Sequence, residues 1–268
     1  MKNLHYEFTE ETIEFLGKTL HRIRATKDLP QHKVYKGDLG GWVEKEDNLQ
    51  ENAWVGDSAM VLENAKVSGN AMVRFGAIIS ESAKVEDNAL VERADVKGEA
   101  IICERAVVSG NVTVEDNSMV CGDAMVCDNV VISGRAFVGG YSLIKDEVQI
   151  YGGAIIRENA QIYNYVKVGG NTLIGGDVKI GDSARFCGDG VISDYLDFCT
   201  FSNFIDYCYD TVTFFKGADG NILVSAGNDD GISLREFKNK IAKTDSRKLH
   251  KTYKAMLKLA KLKFNIKH

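Results

Sequence analysis

The sequence predicts a mainly β protein whose central part is a parallel β-helix, wound from six-residue repeats into about eight coils. One observation is a strict six-residue spacing of aliphatic side chains, and another is a column of small side chains placed between them. A third is that the single proline, Pro30, precedes the repeat. Every backbone N–H of the coils is therefore available for a hydrogen-bonded ladder.

The aliphatic column occupies every sixth position from residue 49 to residue 91 and, after one five-residue step, from residue 96 to residue 192. Valine or isoleucine fills nearly all of these positions, whereas an amphipathic helix would repeat every 3.6 residues. Small residues such as Ala53 and Ala59 follow four positions later. Three hexads then make one coil of about 18 residues, with large and small side chains alternating on the inside. Each fully buried Val or Ile contributes about 1.5–3 kcal/mol, so the column is a sufficient core.

The corners of the predicted coils carry residues such as Gly69-Asn70 and Asp87-Asn88, which tolerate the left-handed backbone conformation of tight turns. The five-residue step lies between Val91 and Val96 and removes one corner residue. We interpret it as a tightened corner rather than a functional kink.

Both ends depart from the repeat, which gives three expected regions: residues 1–42, 43–195 and 196–268. The first is predicted to form a small β cap, because an open solenoid end exposes its core and its strand edge. The third is predicted to contain a hairpin from Val212 to Val224, a helix opened by Ser233, and a longer helix starting near Thr244 or Asp245. The residues expected to pack that last helix are Leu249, Tyr253, Met256, Leu257 and Phe264.

The net charge of −5 is unevenly distributed along the chain. Residues 45–208 sum to −12 and residues 209–268 to +7, so an acidic body precedes a basic tail. No apolar run approaches the roughly 18 residues that a membrane span needs. The N-terminus has no apolar signal core, which predicts a cytoplasmic location, and the six cysteines are expected to be reduced thiols.

The run from Lys36 to Glu44, followed by Asn52-Ala53-Trp54-Val55 and by hexads of the form Gly-Asn-Ala-x-Val, resembles the YdcK-like family of hexapeptide-repeat proteins. These proteins occur in bacteria and in phages or prophages, and they often carry a transferase label. The C-terminal Phe214-Phe215, Asp219-Gly220-Asn221 and final helix resemble phage-type members. The resemblance implies left-handed winding of the coils and assembly into trimers.

Catalysis is the alternative that histidine placement argues against. Acyltransferases with similar coils use a histidine as general base, and related carbonic anhydrases bind zinc through three histidines. This chain has five histidines, and none lies within the coils: His5, His21, His32, His250 and His268. We therefore expect no catalytic residue and no cofactor, and keep an acyltransferase with an atypical site as the alternative.

Two groups of potential metal ligands are also interpreted as ordinary structural residues. Cys103 and Cys121 are 18 residues apart and should stack on one face of neighbouring coils. Asp128, Asp146 and Asp182 share a corner column with Asn164, where aspartate is a normal residue. No metal site is predicted.

The outward positions just before the inward aliphatic residues form two apolar stripes, which mark candidate interfaces. Stripe A consists of Trp54, Met72, Leu90, Val107, Met125 and Leu143. Stripe B consists of Ile101, Met119, Phe137, Ile155, Leu173 and Val191. The equivalent column on the third face is mostly polar. The basic C-terminal helix is long enough to lie along one stripe, which would leave the other for a second copy of the chain.

The leading hypothesis is a non-catalytic, oligomeric interaction protein, with a trimer favoured and a phage or prophage origin. Its target would be a host protein, and inhibition of a bacterial defence or nucleic-acid enzyme is one version, because an acidic elongated surface can imitate a nucleic-acid backbone. A polymerising scaffold is a further alternative. Neither membrane association nor nucleic-acid binding by the lysine-rich helix is expected.

Overall fold

The computed structural model describes residues 5–202, 211–243 and 246–266. Its centre is a parallel β-helix, as the spacing of aliphatic residues predicted, with three faces of short stacked strands. Each strand pairs in parallel with the strand about 18 residues away, as Met119 does with Ile101 and with Phe137.

Face 1 consists of the strands Trp54–Val55, Met72–Arg74, Leu90–Glu92, Val107–Gly110, Met125–Asp128, Leu143–Ile144, Gln161–Ile162 and Lys179–Ile180. Face 2 consists of Met60–Val61, Ile78–Ile79, Asp95–Val96, Thr113–Val114, Val131–Ile132, Gln149–Ile150, Lys167–Val168 and Arg185–Phe186. Face 3 consists of Lys66–Val67, Lys84–Val85, Ile101–Ile102, Met119–Val120, Phe137–Val138, Ile155–Ile156, Leu173–Ile174 and Val191–Ile192.

The core is the inside of this prism. The aliphatic column, from Leu49 to Ile192, is fully buried, and the small residues such as Ala53 and Ala59 are buried beside it. Ser118, Ser142 and Thr172 are the polar members of the small column, and each hydroxyl donates to a backbone carbonyl. The hydroxyls are therefore satisfied inside the core, as buried polar groups must be.

The corners explain why the body is acidic. Acidic corner residues accept hydrogen bonds from the backbone N–H groups of the next coil. The N–H of Asn164 donates to Asp146 (2.9 Å), and that of Asp146 donates to Asp128 (3.2 Å). The N–H of Glu81 donates to Glu63 (2.8 Å) in the same way. Many carboxylates of the body thus cap amides that the turns leave unpaired.

The five-residue step is a tightened corner, as expected. Only Arg93 and Ala94 lie between Glu92 and Asp95, and of these two Arg93 has a positive φ (54°). In the coil before, Phe75 and Gly76 both have positive φ. The inward side chains stay in register, because Val91 and Val96 remain fully buried.

The N-terminal residues form the predicted small sheet. Strands β1 (Tyr6–Phe15) and β2 (Lys18–Ala25) make an antiparallel hairpin, and a bulge interrupts β1 between Phe8 and Thr12. Strand β3 (Leu39–Val43) pairs antiparallel with β2 and parallel with the first strand of face 2. The hairpin therefore extends face 2 into a sheet of 11 strands and covers its first edge. Short 3-10 helices span Pro30–His32, Glu46–Asn48 and, after the last coil, Tyr195–Asp197.

The C-terminal residues form an antiparallel sheet of β4 (Phe198–Phe201), β5 (Val212–Lys216), β6 (Ile222–Ala226) and β7 (Asp229–Ser233). The predicted hairpin from Val212 to Val224 is confirmed as β5 and β6. Phe215 points into the end of the coil core, where its ring contacts that of Phe186 edge to face at 5.4 Å between centroids. The sheet therefore closes the last coil. The sequence is rich in aromatic residues between Tyr195 and Tyr207, and of these Phe204 and Tyr207 lie outside the described residues.

Helix α1 (Leu234–Ala242) follows Ser233, as predicted, and the side chains of Ser233 and Glu236 form a capping box. Helix α2 (Arg247–Lys263) begins after Ser246; the predicted starts at Thr244 and Asp245 lie outside the described residues. Within the described ranges, no helix is both long and apolar enough to cross a membrane.

Helix α2 packs on the C-terminal sheet, whereas the sequence left open a position along one of the stripes. Met256 and Leu257 are buried in a second core with Val212, Phe214 and Phe237. Tyr253 and Phe264 are partly buried against the same cluster, and Leu249 is half-buried. The two stripes are therefore not covered by this helix.

Candidate interaction surface

Stripe B runs along face 3 as a continuous row. Its six side chains stand on strands paired in register, so each lies directly beside the next. All six are partly exposed, and Ile155 is 40% exposed. The row covers five coil steps, about 24 Å at the spacing of hydrogen-bonded strands.

Most residues of the column beside stripe B are small, namely Cys103, Cys121, Gly139 and Gly175, and Arg157 is the exception. The Phe137 ring lies over Gly139, where a Cβ would approach the ring to 2.7 Å. Phe137 thus presents a flat apolar face rather than a free side chain.

Stripe A is less continuous than the sequence suggested. Trp54 is 2% exposed, because its indole lies against the backbone of Gly40 in the N-terminal cap. Met72 and Leu90 line a groove under the loop that contains residues 27–32. The part of stripe A away from the cap is therefore Val107, Met125 and Leu143 on the fourth to sixth coils, with Met125 52% exposed.

The two stripes meet at one corner of the prism. The corner carries Arg105, Asp123 and Tyr141, which we call the ridge. Arg105 donates two hydrogen bonds of 2.6 Å to the Asp123 carboxylate, and Tyr141 is 67% exposed. The hydrogen bond from Arg105 lowers the pKa of Asp123, so this pair stays charged. The ridge gives the apolar surface a polar centre.

The cysteines stack as predicted but lack the character of reactive thiols. Cys103 and Cys121 follow paired strands of face 3, and burial raises the pKa of Cys103 to about 12. Burial also raises the pKa of Cys121. Since the thiolate is the nucleophile, both are poorly suited to nucleophilic chemistry. Among residues 5–202, 211–243 and 246–266, no group of three or more His, Cys, Asp or Glu side chains could hold a metal ion.

The structure brings two histidines from outside the repeat close to each other. His5 and His32 lie outside the coils in sequence, yet the cap folds both onto the first coil. The Nε2 of His5 bonds the carbonyl of Ala53 (2.7 Å), and that of His32 bonds the carbonyl of Asn52 (2.9 Å). No spacing in the sequence predicts this contact, because it depends on how the cap folds back.

Comparisons with known proteins give no identification. No protein-family model matches the chain, and no curated protein matches it either.

Proposed function

We propose that this protein is a non-catalytic β-helix interaction protein that assembles as a homotrimer through the apolar surface on both sides of the ridge. One observation carries the proposal. Stripe B lies next to Val107, Met125 and Leu143 of stripe A, and these side chains are partly exposed and are not covered by the chain's own C-terminal helix. Contiguous apolar patches on a protein surface usually mark interfaces.

A trimer fits the position of the stripes better than a dimer does. A twofold dimer uses one patch twice, whereas a closed ring of three uses two different patches on every subunit. Here two different patches flank one corner, with Phe137 and Met119 on one side and Met125 and Leu143 on the other. The ridge would then face the threefold axis.

The test is the mass of the particle in solution, measured by light scattering. We expect the 29.5 kDa chain to behave as a trimer. Replacing Phe137 by Glu should give a monomer, because a carboxylate would be buried without a partner. Replacing Gln149 by Glu, on the polar column of face 2, is the matched control and should leave the trimer intact. A monomeric wild type, or a trimeric Phe137→Glu variant, contradicts the proposal.

We further propose membership of the YdcK-like family, with a phage or prophage origin and a host protein as target. The support is the run from Lys36 to Glu44, the hexads and the acidic body. The target's basic surface would meet exposed carboxylates that cap no backbone amide among the described residues, such as Asp95 and Glu147.

The experiment is a pull-down from bacterial lysate with the wild type and with an Asp95→Asn, Glu147→Gln double variant. We expect one stoichiometric protein, weakened by the double substitution and by added salt. Capture that the substitutions leave unchanged would remove the electrostatic part of the proposal. Recovery of no stoichiometric protein would remove the host target.

An acyltransferase with an atypical site is the second candidate, and the observation that favours it is His32 beside a groove on the first coils. Acetyl-CoA should then raise the melting temperature of the wild type, and replacing His32 by Ala should abolish acetyl transfer. The polymerising scaffold is less consistent with the caps, since β3 and β5 cover coil edges that end-to-end stacking requires.

A further inference from the structure

A groove of about 480 Å³ lies between the N-terminal cap and the first three coils. This volume is within the range of roughly 300–1,000 Å³ typical of small-molecule sites. Its lining comes from the loop with Gln31 and His32 and from a wall of corner asparagines. Met72 and Leu90 form an apolar strip along it.

His32 lines this groove with its tautomer fixed by a hydrogen bond. A carbonyl oxygen can only accept, so the 2.9 Å bond to Asn52 places the proton on Nε2. Nδ1 then carries a lone pair, and it has no partner among the residues that the structure describes. Burial lowers the pKa of His32 although the bond to Asn52 opposes this, which keeps the ring neutral at pH 7.

The asparagine wall offers both donors and acceptors at regular spacing. Asn52, Asn70 and Asn88 follow one another at intervals of 18 residues, and all three are exposed. The Asn70 NH₂ group donates to the side-chain oxygen of Asn88 at 3.3 Å. This bond does not use the side-chain oxygen of Asn70 or the NH₂ group of Asn88. Each amide carries one acceptor oxygen and two N–H donors.

The charges around the groove nearly cancel. Lys27 and Asp28 line it together, one of each sign, and the remaining polar groups are amides and the neutral imidazole. An anion would meet Asp28 and a cation would meet Lys27, so neither has a clear advantage. Hydroxyl groups, in contrast, both donate and accept, as the asparagine amides do.

We propose that this groove binds an uncharged saccharide. Its hydroxyls would pair with the asparagine amides, one hydroxyl would donate to Nδ1 of His32, and its aliphatic C–H face would lie on Met72 and Leu90. The site is separate from the proposed trimer surface, because that surface uses Val107, Met125 and Leu143 of stripe A, whereas the groove is lined by Met72 and Leu90.

The experiment follows the imidazole signals of His32 by NMR while the methyl glycosides of glucose, galactose, mannose and N-acetylglucosamine are added at millimolar concentrations to the full chain. At least one glycoside should shift these signals and lower the pKa of His32 further, since a hydrogen bond to Nδ1 stabilises the neutral ring. If none of the four shifts the signals, or if the pKa of His32 rises on binding, the proposal is wrong.

Variants separate recognition from folding. Replacing His32 by Ala should weaken binding about fivefold to tenfold, as expected for the loss of one hydrogen bond. Replacing Asn70 by Leu should weaken it similarly, and replacing Tyr141 by Ala, on the ridge, should not change it. Unchanged affinity in both groove variants would overturn the assignment, whatever the oligomeric state of the chain.

Discussion

Tyr151 and Tyr163 each lie across a glycine of the next coil. Tyr151 covers Gly169 and reaches Cys187 one coil further, where its hydroxyl lies 3.0 Å from the thiol. Tyr163 covers Gly181 in the same way. Since neither glycine adopts a positive φ, space for the ring rather than backbone conformation is what requires glycine there.

Replacing Gly169 by Ala should therefore destabilise the protein by about 1–3 kcal/mol, the usual cost of overpacking. The same substitution in a Tyr151→Ala background should cost little, because the ring that it would strike is gone. The control is Gly56→Ala. Gly56 lies in the same column of face 1 as Gly181, but a Cβ there would meet no atom closer than 3.5 Å. Urea denaturation measures the three effects, and equal costs of Gly169→Ala in both backgrounds would contradict this account.

At the scale of elements, the two caps show how far the sequence could be interpreted. The hairpin of β5 and β6 was predictable because Asp219-Gly220 and the alternating side chains are local signals. The capping box at Ser233 was predictable for the same reason. The pairing of β4 with β5, and the contact of His32 with the first coil, were not, because they join segments with no shared periodicity.

The surface was only partly predictable, and for a similar reason. The six-residue spacing placed both stripes correctly along their faces. It could not show that the cap buries Trp54, or that α2 packs on the C-terminal sheet, since amphipathic spacing does not specify which surface a helix covers.

Asp197 ties the C-terminal sheet to the last coil. Its carboxylate accepts hydrogen bonds from the N–H groups of Ser193 and Asp194 and from Nζ of Lys216 (2.6 Å) on β5. Burial alone would raise the pKa of Asp197, but the bonds from Lys216 and Ser193 outweigh it, and the pKa is lowered. The folded state therefore prefers the ionised carboxyl.

From this shift we expect a pH-dependent contribution to stability. Asp197 should stabilise the fold fully above the unfolded pKa of about 3.9, and the contribution should disappear as pH falls through the lower folded value. At pH 7, an Asp197→Asn variant should have a lower free energy of unfolding than the wild type. As the pH falls, its free energy of unfolding should decrease less than that of the wild type. The exposed Asp57→Asn serves as control in the same urea titrations. If Asp197→Asn follows the wild-type pH profile, the carboxylate does not have this role.

At the scale of the whole molecule, each coil contacts mainly its two neighbours, so stability is close to a sum over coils. Removing residues 146–163, one coil of 18 residues, joins Lys145 to Asn164, whose φ of 64° is close to the 67° of Asp146. The shortened chain should fold cooperatively with a smaller urea m-value, because less surface is exposed on unfolding. It should also remain a trimer, since both stripes stay aligned.

Removing residues 146–157, two hexads, is the matched comparison. It joins Lys145 to Glu158, another corner residue with positive φ, so the coils should still stack. Every later strand moves to a different face, however, which splits stripe B after Phe137. Met119, Phe137, Met125 and Leu143 keep their places beside the ridge, so we expect a trimer that dissociates at a higher protein concentration than that of the 18-residue deletion. Equal dissociation in light scattering would show that the part of stripe B after Phe137 does not contribute to assembly.

The short corner at Arg93 has a consequence for how such a rod changes length. One residue fewer is absorbed between Glu92 and Asp95 while Val91 and Val96 keep their places inside. One residue can thus be lost or gained at a corner while the same side chains continue to point inward. Among natural versions of this chain, small insertions and deletions should collect at the bends and spare the straight segments between them.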